Sequence, residues 1–331
     1  MDFVIPWVDG NDPIWQNSKN SFAVKGQGDS CPARFRDWEI LKYWFRGVEN
    51  FAPWVNRIHF ITCGHTPAWL NLDHPKLHFV KHSDYIPAEY LPTFNSHTIE
   101  HNIYRIEGLS EQFVYFNDDM HIIAPMKESD FFINGLPCDA ANMVYKIPSL
   151  ASLVQSVDYN NIYTINCHFK KFKEIKKHPK IFFNAAYGIY SNLYALYTMP
   201  APVFPGFYNY HTAQPFLKST FEAVWKKEND RLKKTCCDKF RDYSHLNQWV
   251  YRYWQFAEGK IHPISFQGKR KRIEICEDSI KDIQKTLEEG KVQILCLNDD
   301  PKIPEASFKP LKMEVIESFE KIFPKKSTFE K

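Results

Sequence analysis

Two stretches of the sequence end a short apolar run with the same three polar residues. Residues 113–116 read Phe-Val-Tyr-Phe and are followed by Asn117, Asp118 and Asp119. A short run of aromatic and β-branched residues predicts a buried strand, and carboxylates at its end need a partner. Two adjacent carboxylates repel each other unless they share a proton or hold a cation. Magnesium or manganese, bound by carboxylates and substrate phosphate, fits this chemistry; an ordinary acidic turn is the alternative.

The second stretch lies near the end of the chain. Residues 292–297 form an apolar run, and Asn298, Asp299 and Asp300 follow it. A third strand end carries chemistry as well, because residues 2–8 lead into Trp7, Asp9 and a tight Gly-Asn-Asp loop. A tryptophan there can stack on a base and an aspartate can bind a ribose, although these residues alone favour a packed tryptophan beside a turn aspartate.

The elements around these motifs alternate between strands and helices. Residues 1–125 predict strand, helix, strand, strand, helix and strand, the order of a parallel α/β sheet. A Gly-rich segment at residues 14–33 predicts a flexible surface connection. Ligands bind at the carboxyl edge of such a sheet, where Asp9, Gly64, Asp118 and Asp119 would lie together. Farther along, the periodicity predicts helices over residues 211–230, 240–257, 278–289 and 308–322.

Composition narrows the class of protein. The chain of 331 residues has a formal net charge of +3, which gives no argument for nucleic-acid binding. The start lacks the features of a signal peptide, and no apolar run is long enough to span a bilayer. The eight cysteines form no Cys-x-x-Cys pair, so we expect free thiols in a reducing cytoplasm. The basic run at residues 170–180 is typical of a solvated helix face, and less often of a patch for an anionic polymer or membrane.

Four blocks of sequence, in order, resemble the Stealth family of hexose-1-phosphate transferases. The first is residues 3–12, with Trp-Val-Asp-Gly-Asn-Asp, and the second is residues 36–119, with Leu-Pro-Thr-Phe-Asn-Ser at 91–96. The third runs from His211 to about Trp254 and contains Arg241, and the fourth begins at Cys296 and ends at Glu330. The family includes bacterial capsular polysaccharide phosphotransferases and is related to the lysosomal-enzyme N-acetylglucosamine-1-phosphotransferase of animals.

The resemblance implies an enzyme that transfers a hexose or N-acetylhexosamine 1-phosphate from a nucleotide-sugar to a hydroxyl of a polysaccharide. The acceptor attacks phosphorus, a nucleoside monophosphate leaves, and the product is a phosphodiester. The expected donor is a UDP-sugar such as UDP-N-acetylglucosamine, and the expected acceptor is a polysaccharide or lipid-linked glycan. Such an acceptor would bring a cytoplasmic enzyme to the inner face of the plasma membrane as a peripheral protein.

The same resemblance implies a fold and its parts. We predict a Rossmann-like, glycosyltransferase-A-like α/β fold, with a mostly parallel sheet flanked by helices and a helical insertion. Residues 1–125 would form the nucleotide-sugar-binding half, and residues 126–205 an insertion on the acceptor side. Residues 206–331 would complete the same catalytic core.

The resemblance also implies residue roles, since His211 and Arg241 match the family's histidine and arginine in the third block. These roles fit phosphoryl transfer, which needs neutralised charge, aligned oxygens and proton removal. We expect Asp119 and Asp299 to hold Mg²⁺ or Mn²⁺, with Asp118 as a further ligand or an acceptor-site residue. His211 would take the acceptor proton, and Arg241 would bind phosphate oxygens. The predicted donor-binding residues are Trp7, Asp9, Gly10, Asp12, Arg36, Asp37, Arg46 and Asn117.

Two other functions stay open on the sequence alone. A conventional metal-dependent glycosyltransferase also uses acidic turns at strand ends and would release a nucleoside diphosphate. A carbohydrate-binding module is disfavoured, because the carboxylates, His211 and Arg241 are all present.

Overall fold

The structure is a computed structural model that describes residues 1–23, 36–149, 152–300 and 303–331. Half of the predicted Gly-rich connection, residues 24–33, lies outside these residues. The strands, in chain order, are β1 (Asp2–Pro6), β2 (Ile58–Thr62), β3 (Leu77–Lys81), β4 (Gln112–Tyr115), β5 (Met120–Ile122), β6 (Phe132–Ile133), β7 (Leu136–Asp139), β8 (Gln214–Leu217), β9 (His262–Pro263), β10 (Arg270–Ile275) and β11 (Ile294–Asp299).

Twelve α-helices lie in the described part of the chain. They are α1 (Pro13–Phe22), α2 (Leu41–Phe51), α3 (His82–Tyr85), α4 (Ser96–Asn102), α5 (Leu153–His168), α6 (Lys171–Lys177), α7 (Pro179–Phe182), α8 (Gly188–Tyr197), α9 (Lys218–Cys237), α10 (Trp249–Ala257), α11 (Ile280–Glu289) and α12 (Glu305–Ile322). Helices α5 to α8 fill the region between β7 and β8. Among the helices described, none combines the length and apolar character needed to cross a membrane.

The central sheet has five strands in the order β3-β2-β1-β4-β8. All neighbours pair in parallel except β4 and β8, which are antiparallel. Side chains alternate between its two faces: Val4 and Phe113 enter one apolar cluster, whereas Phe3 and Val114 enter another. The central strands carry buried apolar residues on both faces, as expected for a mostly parallel sheet that is covered on both sides. The predicted α/β class is therefore confirmed.

A smaller sheet extends the core beside the carboxyl edge of the central one. Strand β10 pairs in parallel with β11, and β11 pairs antiparallel with β5. Since β5 directly follows the turn after β4, this sheet places β11 beside Asp119. The backbone N–H of Leu297 donates to the Asp119 carbonyl at 2.8 Å, which fixes that neighbourhood.

Three predicted elements differ from the structure. Residues 214–217 form strand β8 rather than the start of a helix, because Phe216 packs on Phe113 and Phe221 and the segment pairs with β4. Pro215 is tolerated there because β8 is an edge strand. The helix predicted over 240–257 begins only at Trp249. Helix α1, capped by the side chain of Asp12, forms where a flexible connection was predicted. The division into three parts stays a prediction.

Candidate active site

Asp119 lies where three elements meet. Tyr115 pairs with Gln214, so the chain leaving β4 runs beside the chain entering β8, and this brings His211 to Asp119. The Nε2 of His211 is 3.1 Å from the Asp119 Oδ2. From the other side, the Sγ of Cys296 on β11 is 3.3 Å from the same oxygen. One carboxylate oxygen thus joins the turn after β4, the entry to β8 and β11.

Asp119 and Cys296 differ in their ionisation at this junction. Burial would raise the pKa of Asp119, but the hydrogen bond and the charge of His211 hold it below its ordinary value. Burial, and then the negative charge of Asp119, raises the pKa of Cys296 well above that of a free thiol. Cys296 is therefore a neutral thiol that donates to Asp119, and the carboxylate is the charged member.

The residues present fit a divalent cation. The ligand atoms of Asp119, His211 and Cys296 all lie within 4.8 Å of one another. The second carboxylate oxygen of Asp119, Oδ1, is buried and has no hydrogen-bond partner. An unpartnered buried carboxylate oxygen is costly, and a cation is a partner that satisfies it. Asp119 is thus the residue best suited to hold Mg²⁺ or Mn²⁺.

Further carboxylates lie around Asp119 in the same cleft. Desolvation, followed by the charges of Asp119 and Asp37, raises the pKa of Asp118 to about 7. The Asp118 side chain is exposed, so the negative charges of Asp119 and Asp37 explain its raised pKa better than burial does. Desolvation also raises the pKa of Asp37, with a smaller contribution from the charge of Asp9. Asp9, Asp37, Asp118 and Asp119 therefore lie close enough for their negative charges to act on one another in sequence, from Asp9 to Asp37, Asp118 and Asp119.

The predicted donor-binding loop after β1 is organised by His65, a residue that the sequence did not single out. The Asp9 backbone N–H donates to His65 Nε2 at 2.9 Å, and His65 Nδ1 lies 3.2 Å from Asp12 Oδ2. Trp7 contacts the His65 ring edge-on at 5.3 Å between ring centroids. Gly10 is held as well, since its carbonyl accepts from Gln16 at 2.7 Å. His65 could have been suspected because it follows β2 at the same sheet edge.

Arg241 reaches the cleft from the segment between α9 and α10. Its guanidinium donates to the Ser96 hydroxyl from Nε at 3.0 Å. Its positive charge acts on Asp118 and on buried Glu100, whose pKa desolvation raises to about 7. Asn117 lies in the same turn as Asp118. Arg241 and the acidic turn after β4 therefore belong to one electrostatic site.

Asp299 does not join Asp119, contrary to the prediction. It accepts two hydrogen bonds from Arg36, at 2.9 Å from Nε and 2.8 Å from Nη2. The reason is strand alternation: Cys296 and Asn298 share the face of β11 that meets Asp119, whereas Leu297 and Asp299 face the other side. Arg36, predicted to bind the donor, is engaged by this ion pair. Cys296 was missed, although the same alternation pointed to it.

Arg46 also departs from its predicted role. Its guanidinium forms a forked ion pair with Glu330, at 2.7 Å from Nε and 2.8 Å from Nη2, and donates to the Phe323 carbonyl. The Arg46 side chain is 5% exposed and that of Glu330 is 3% exposed. These contacts assign Arg46 to anchoring the C-terminal segment on α2 and correct its expected place in the donor pocket.

Comparison with known proteins finds a family whose sequences match this chain. Residues 1–23 match Stealth protein CR1, conserved region 1, and residues 34–138 match Stealth protein CR2, conserved region 2. Over its whole length the chain is 43% identical to a capsular polysaccharide phosphotransferase WcwK of Streptococcus pneumoniae, covering 98% of that protein. It is 37% identical to the receptor polysaccharide phosphotransferase WefC of Streptococcus oralis, covering 99%.

A more distant relative and one solved structure complete the comparison. The exopolysaccharide phosphotransferase cps2G of Lactiplantibacillus plantarum is 36% identical over the whole chain, which covers 96% of it. The galactosyltransferase LgtC, solved with donor and acceptor sugar analogues, aligns over 95% of both chains at 9% identity with a TM-score of 0.39.

Proposed function

The chain belongs to the Stealth family, and from this membership we propose that it is a phosphotransferase of polysaccharide synthesis that transfers a hexose or N-acetylhexosamine 1-phosphate. The donor is a nucleotide-sugar, with a UDP-sugar favoured, and the acceptor is a hydroxyl of a polysaccharide or lipid-linked glycan. The observation that carries the proposal is the Asp119 site, where His211 contacts one carboxylate oxygen and the other has no partner.

The reaction breaks one bond to phosphorus and forms another. The acceptor oxygen attacks the phosphorus that bears the sugar, the bond from that phosphorus to the bridging oxygen of the diphosphate breaks, and a nucleoside monophosphate leaves. The sugar–oxygen bond stays intact, so the product is a phosphodiester. The acceptor hydroxyl loses its proton to a base of the protein.

We assign the role of that base to His211. Its Nε2 faces the Asp119 carboxylate, so the N–H on that nitrogen donates and the ring keeps its lone pair on Nδ1. A carboxylate that holds one ring nitrogen orients the imidazole and stabilises it once it has gained a proton. His211 also lines the large cavity on the β8 side, from which an acceptor can approach.

In this proposal, Arg241 and the carboxylates stabilise the charge of the donor in two different ways. The Arg241 guanidinium can bind two phosphate oxygens at once and so hold the charge that develops on them. A divalent ion held by Asp119, with Asp118 beside it, would neutralise the diphosphate when bound. Trp7, Asp9 and Asp12, ordered by His65, would receive the nucleoside.

The released nucleotide tests this proposal. The protein is incubated with MgCl₂, a capsular polysaccharide acceptor and UDP-N-acetylglucosamine labelled with ³²P at the phosphorus next to the sugar. We expect UMP in solution and ³²P in the polymer. Release of UDP with unlabelled polymer would show a conventional glycosyltransferase, and the Asp119→Asn variant serves as the blank for donor hydrolysis.

A further inference from the structure

A cavity of about 720 Å³ opens beside His211. Its walls come from α8, from residues 208–212 ahead of β8, from residues 264–267 and from β10. Trp7 and His65, which order the donor-binding loop, follow β1 and β2 instead. His211, the proposed base, lines this cavity, whereas Trp7 and His65 are not among its lining residues.

Tyrosines dominate one side of this cavity. Tyr190 and Tyr194 come from α8, and Tyr208 and Tyr210 from the segment before β8. Tyr210 packs edge-on against Tyr208 and Phe266, with ring centroids 4.7 and 4.9 Å away. Its hydroxyl also accepts from the Asn142 side chain at 2.7 Å. Flat aromatic faces with polar rims bind the apolar faces and hydroxyls of sugar rings.

Two arginines form the opposite edge. Arg272 pairs with Cys296 in the parallel register of β10 and β11, so both side chains lie on the face that meets Asp119. Arg270, two residues earlier, shares that face. Both arginines line the cavity together with His211. The wall of the cavity that β10 forms is therefore positively charged. Strand β10 lies next to β11, the strand that carries Cys296 beside Asp119.

Arg270 is the more unusual of the two. Its guanidinium lies over the rings of Phe131 and Phe266, at 5.3 and 5.6 Å, and its Nε and Nη1 are buried without a hydrogen-bond partner. The nearby Asp130 carboxylate already accepts from Gln293 and the Lys127 backbone and pairs with Lys269. A buried guanidinium with unmet donors is costly and is expected where an anion binds.

We propose that this cavity binds the acceptor and that the acceptor is an anionic glycan, whose phosphate or carboxylate is held by Arg270 and Arg272 while its sugar rings lie on the tyrosines. The inference rests on the proposed function, because it places the attacking hydroxyl at His211. It adds that the enzyme selects a charged saccharide near the accepting hydroxyl. A neutral sugar would leave the buried Nε and Nη1 of Arg270 without a partner. Arg272, which pairs with Glu274 at 2.9 Å, supplies a second positive charge at the cavity.

The test measures binding without nucleotide or turnover, by titration calorimetry with three probes. They are methyl glucoside, which is neutral, methyl glucuronide, which carries a carboxylate, and the methyl phosphodiester of glucose 1-phosphate. We expect at least one anionic probe to bind the wild-type protein about tenfold more tightly than the neutral one, a gain of about 1.4 kcal/mol. The tighter of the two anionic probes identifies the charged group of the acceptor.

Substitutions test whether Arg270 and Arg272 cause the tighter binding of the anionic probe. Arg270→Met, and separately the more exposed Arg272→Met, should remove most of it while leaving binding of the neutral probe unchanged. Lys285→Met is the matched control, since Lys285 is 72% exposed on α11 and does not line the cavity. Equal binding of all three probes by the wild-type protein would overturn the inference without any variant, as would a full preference in both folded arginine variants.

The outcome is separable from that of the proposed function. Release of UDP in the labelling experiment would overturn phosphoryl transfer and leave the anionic preference of the cavity measurable. Release of UMP together with no anionic preference would overturn only the acceptor inference.

Discussion

At the scale of single residues, Asp119 is the side chain on which most of the proposed chemistry depends. It is the carboxylate that contacts His211 and Cys296 and still has a buried oxygen without a partner. Asp119→Asn keeps the shape and removes the charge, so we expect at least about a 10³-fold loss of UMP release, because the charge of the diphosphate is no longer neutralised. The thermal midpoint should change little, which circular dichroism can check.

The control for that variant is Asp73→Asn, at an exposed surface position. A rate within about twofold of wild type is expected there, as for most exposed positions. Asp119→Asn turning over at the wild-type rate would remove Asp119 from the chemistry altogether.

His211→Ala tests the base. General-base catalysis contributes about 10² to 10⁴ in rate, so kcat should fall by that factor while the donor KM stays near its wild-type value. His211→Gln, which keeps a polar side chain, should be nearly as slow, because an amide does not accept the proton. An unchanged kcat in His211→Ala would contradict the assignment.

Arg241→Lys tests whether the guanidinium fork matters. A lysine keeps the charge but presents a single point of contact, so we expect about a tenfold to hundredfold loss in kcat/KM for the nucleotide-sugar. Lys226→Met, on the exposed part of α9, is a control for the removal of charge nearby. Full activity in Arg241→Lys would argue for a general electrostatic contribution instead of two directed hydrogen bonds.

Residue types and spacing predicted the turn after β4 and the stretch around His211 that meet at Asp119, but not every side chain that contacts it. Asp119 and His211 lie 92 positions apart, and their contact depends on β8 pairing with β4, which the helix predicted for residues 211–230 did not foresee. The second Asn-Asp-Asp turn was predicted to supply Asp299, whereas strand alternation turns Asp299 to Arg36 and leaves Cys296 at the site. Strand register therefore decides what the motif alone leaves open.

At the scale of secondary-structure elements, Arg46 shows why a basic residue near a phosphate site is a weak signal. Its partner Glu330 is in the last residues of the chain, 284 positions away, and no local pattern in the sequence indicates that pairing. By contrast, strands β2, β3 and β4 and helices α2 and α4 were predictable, because their apolar periodicity coincides with burial on both faces of the sheet.

The pair of Arg46 and Glu330 anchors the C-terminal segment to α2. Arg46→Met leaves a buried carboxylate unpaired, so we expect the free energy of unfolding to fall by about 3–5 kcal/mol. The donor KM of the folded fraction should stay unchanged, which separates a structural role from the donor-binding role first predicted. The double variant Arg46→Met with Glu330→Met should recover much of the loss, because neither charge is then left buried alone. Urea unfolding measures the loss of stability in Arg46→Met. A raised donor KM in this variant would contradict a purely structural role of Arg46.

At the scale of the whole molecule, one surface is unlike the rest. Helix α8 buries only Ala195 and exposes most of its large apolar side chains: Ile189, Tyr190, Leu193, Tyr194, Leu196 and Tyr197. The basic helix α6 adjoins it, since buried Lys171 donates to the carbonyls of Thr198 and Ala201 just after α8. An apolar helix beside exposed lysines is typical of proteins that lie on an anionic membrane surface.

The inner face of the plasma membrane stays a prediction. Helices α8 and α6 are the surface that we expect to contact an anionic membrane there, where a lipid-linked glycan would reach the cavity beside Tyr190 and Tyr194. Each leucine inserted contributes about 1.5–3 kcal/mol, and each lysine near the surface about 1 kcal/mol. We therefore expect the protein to sediment with vesicles of phosphatidylglycerol and phosphatidylcholine, and to be released as salt is raised. Pure phosphatidylcholine vesicles should bind it weakly.

The substitution that checks this is Leu193→Ser with Leu196→Ser, which removes two exposed apolar groups and no charge. Binding to the anionic vesicles should fall at least tenfold, whereas Leu72→Ser, at an exposed leucine elsewhere on the surface, should leave it unchanged. UMP release with a short water-soluble acceptor should stay the same in the double variant, because α8 would act by bringing the enzyme to the lipid-linked glycan and not in the chemistry. Equal sedimentation of the double variant and the wild-type protein would exclude α8 as the membrane-binding surface.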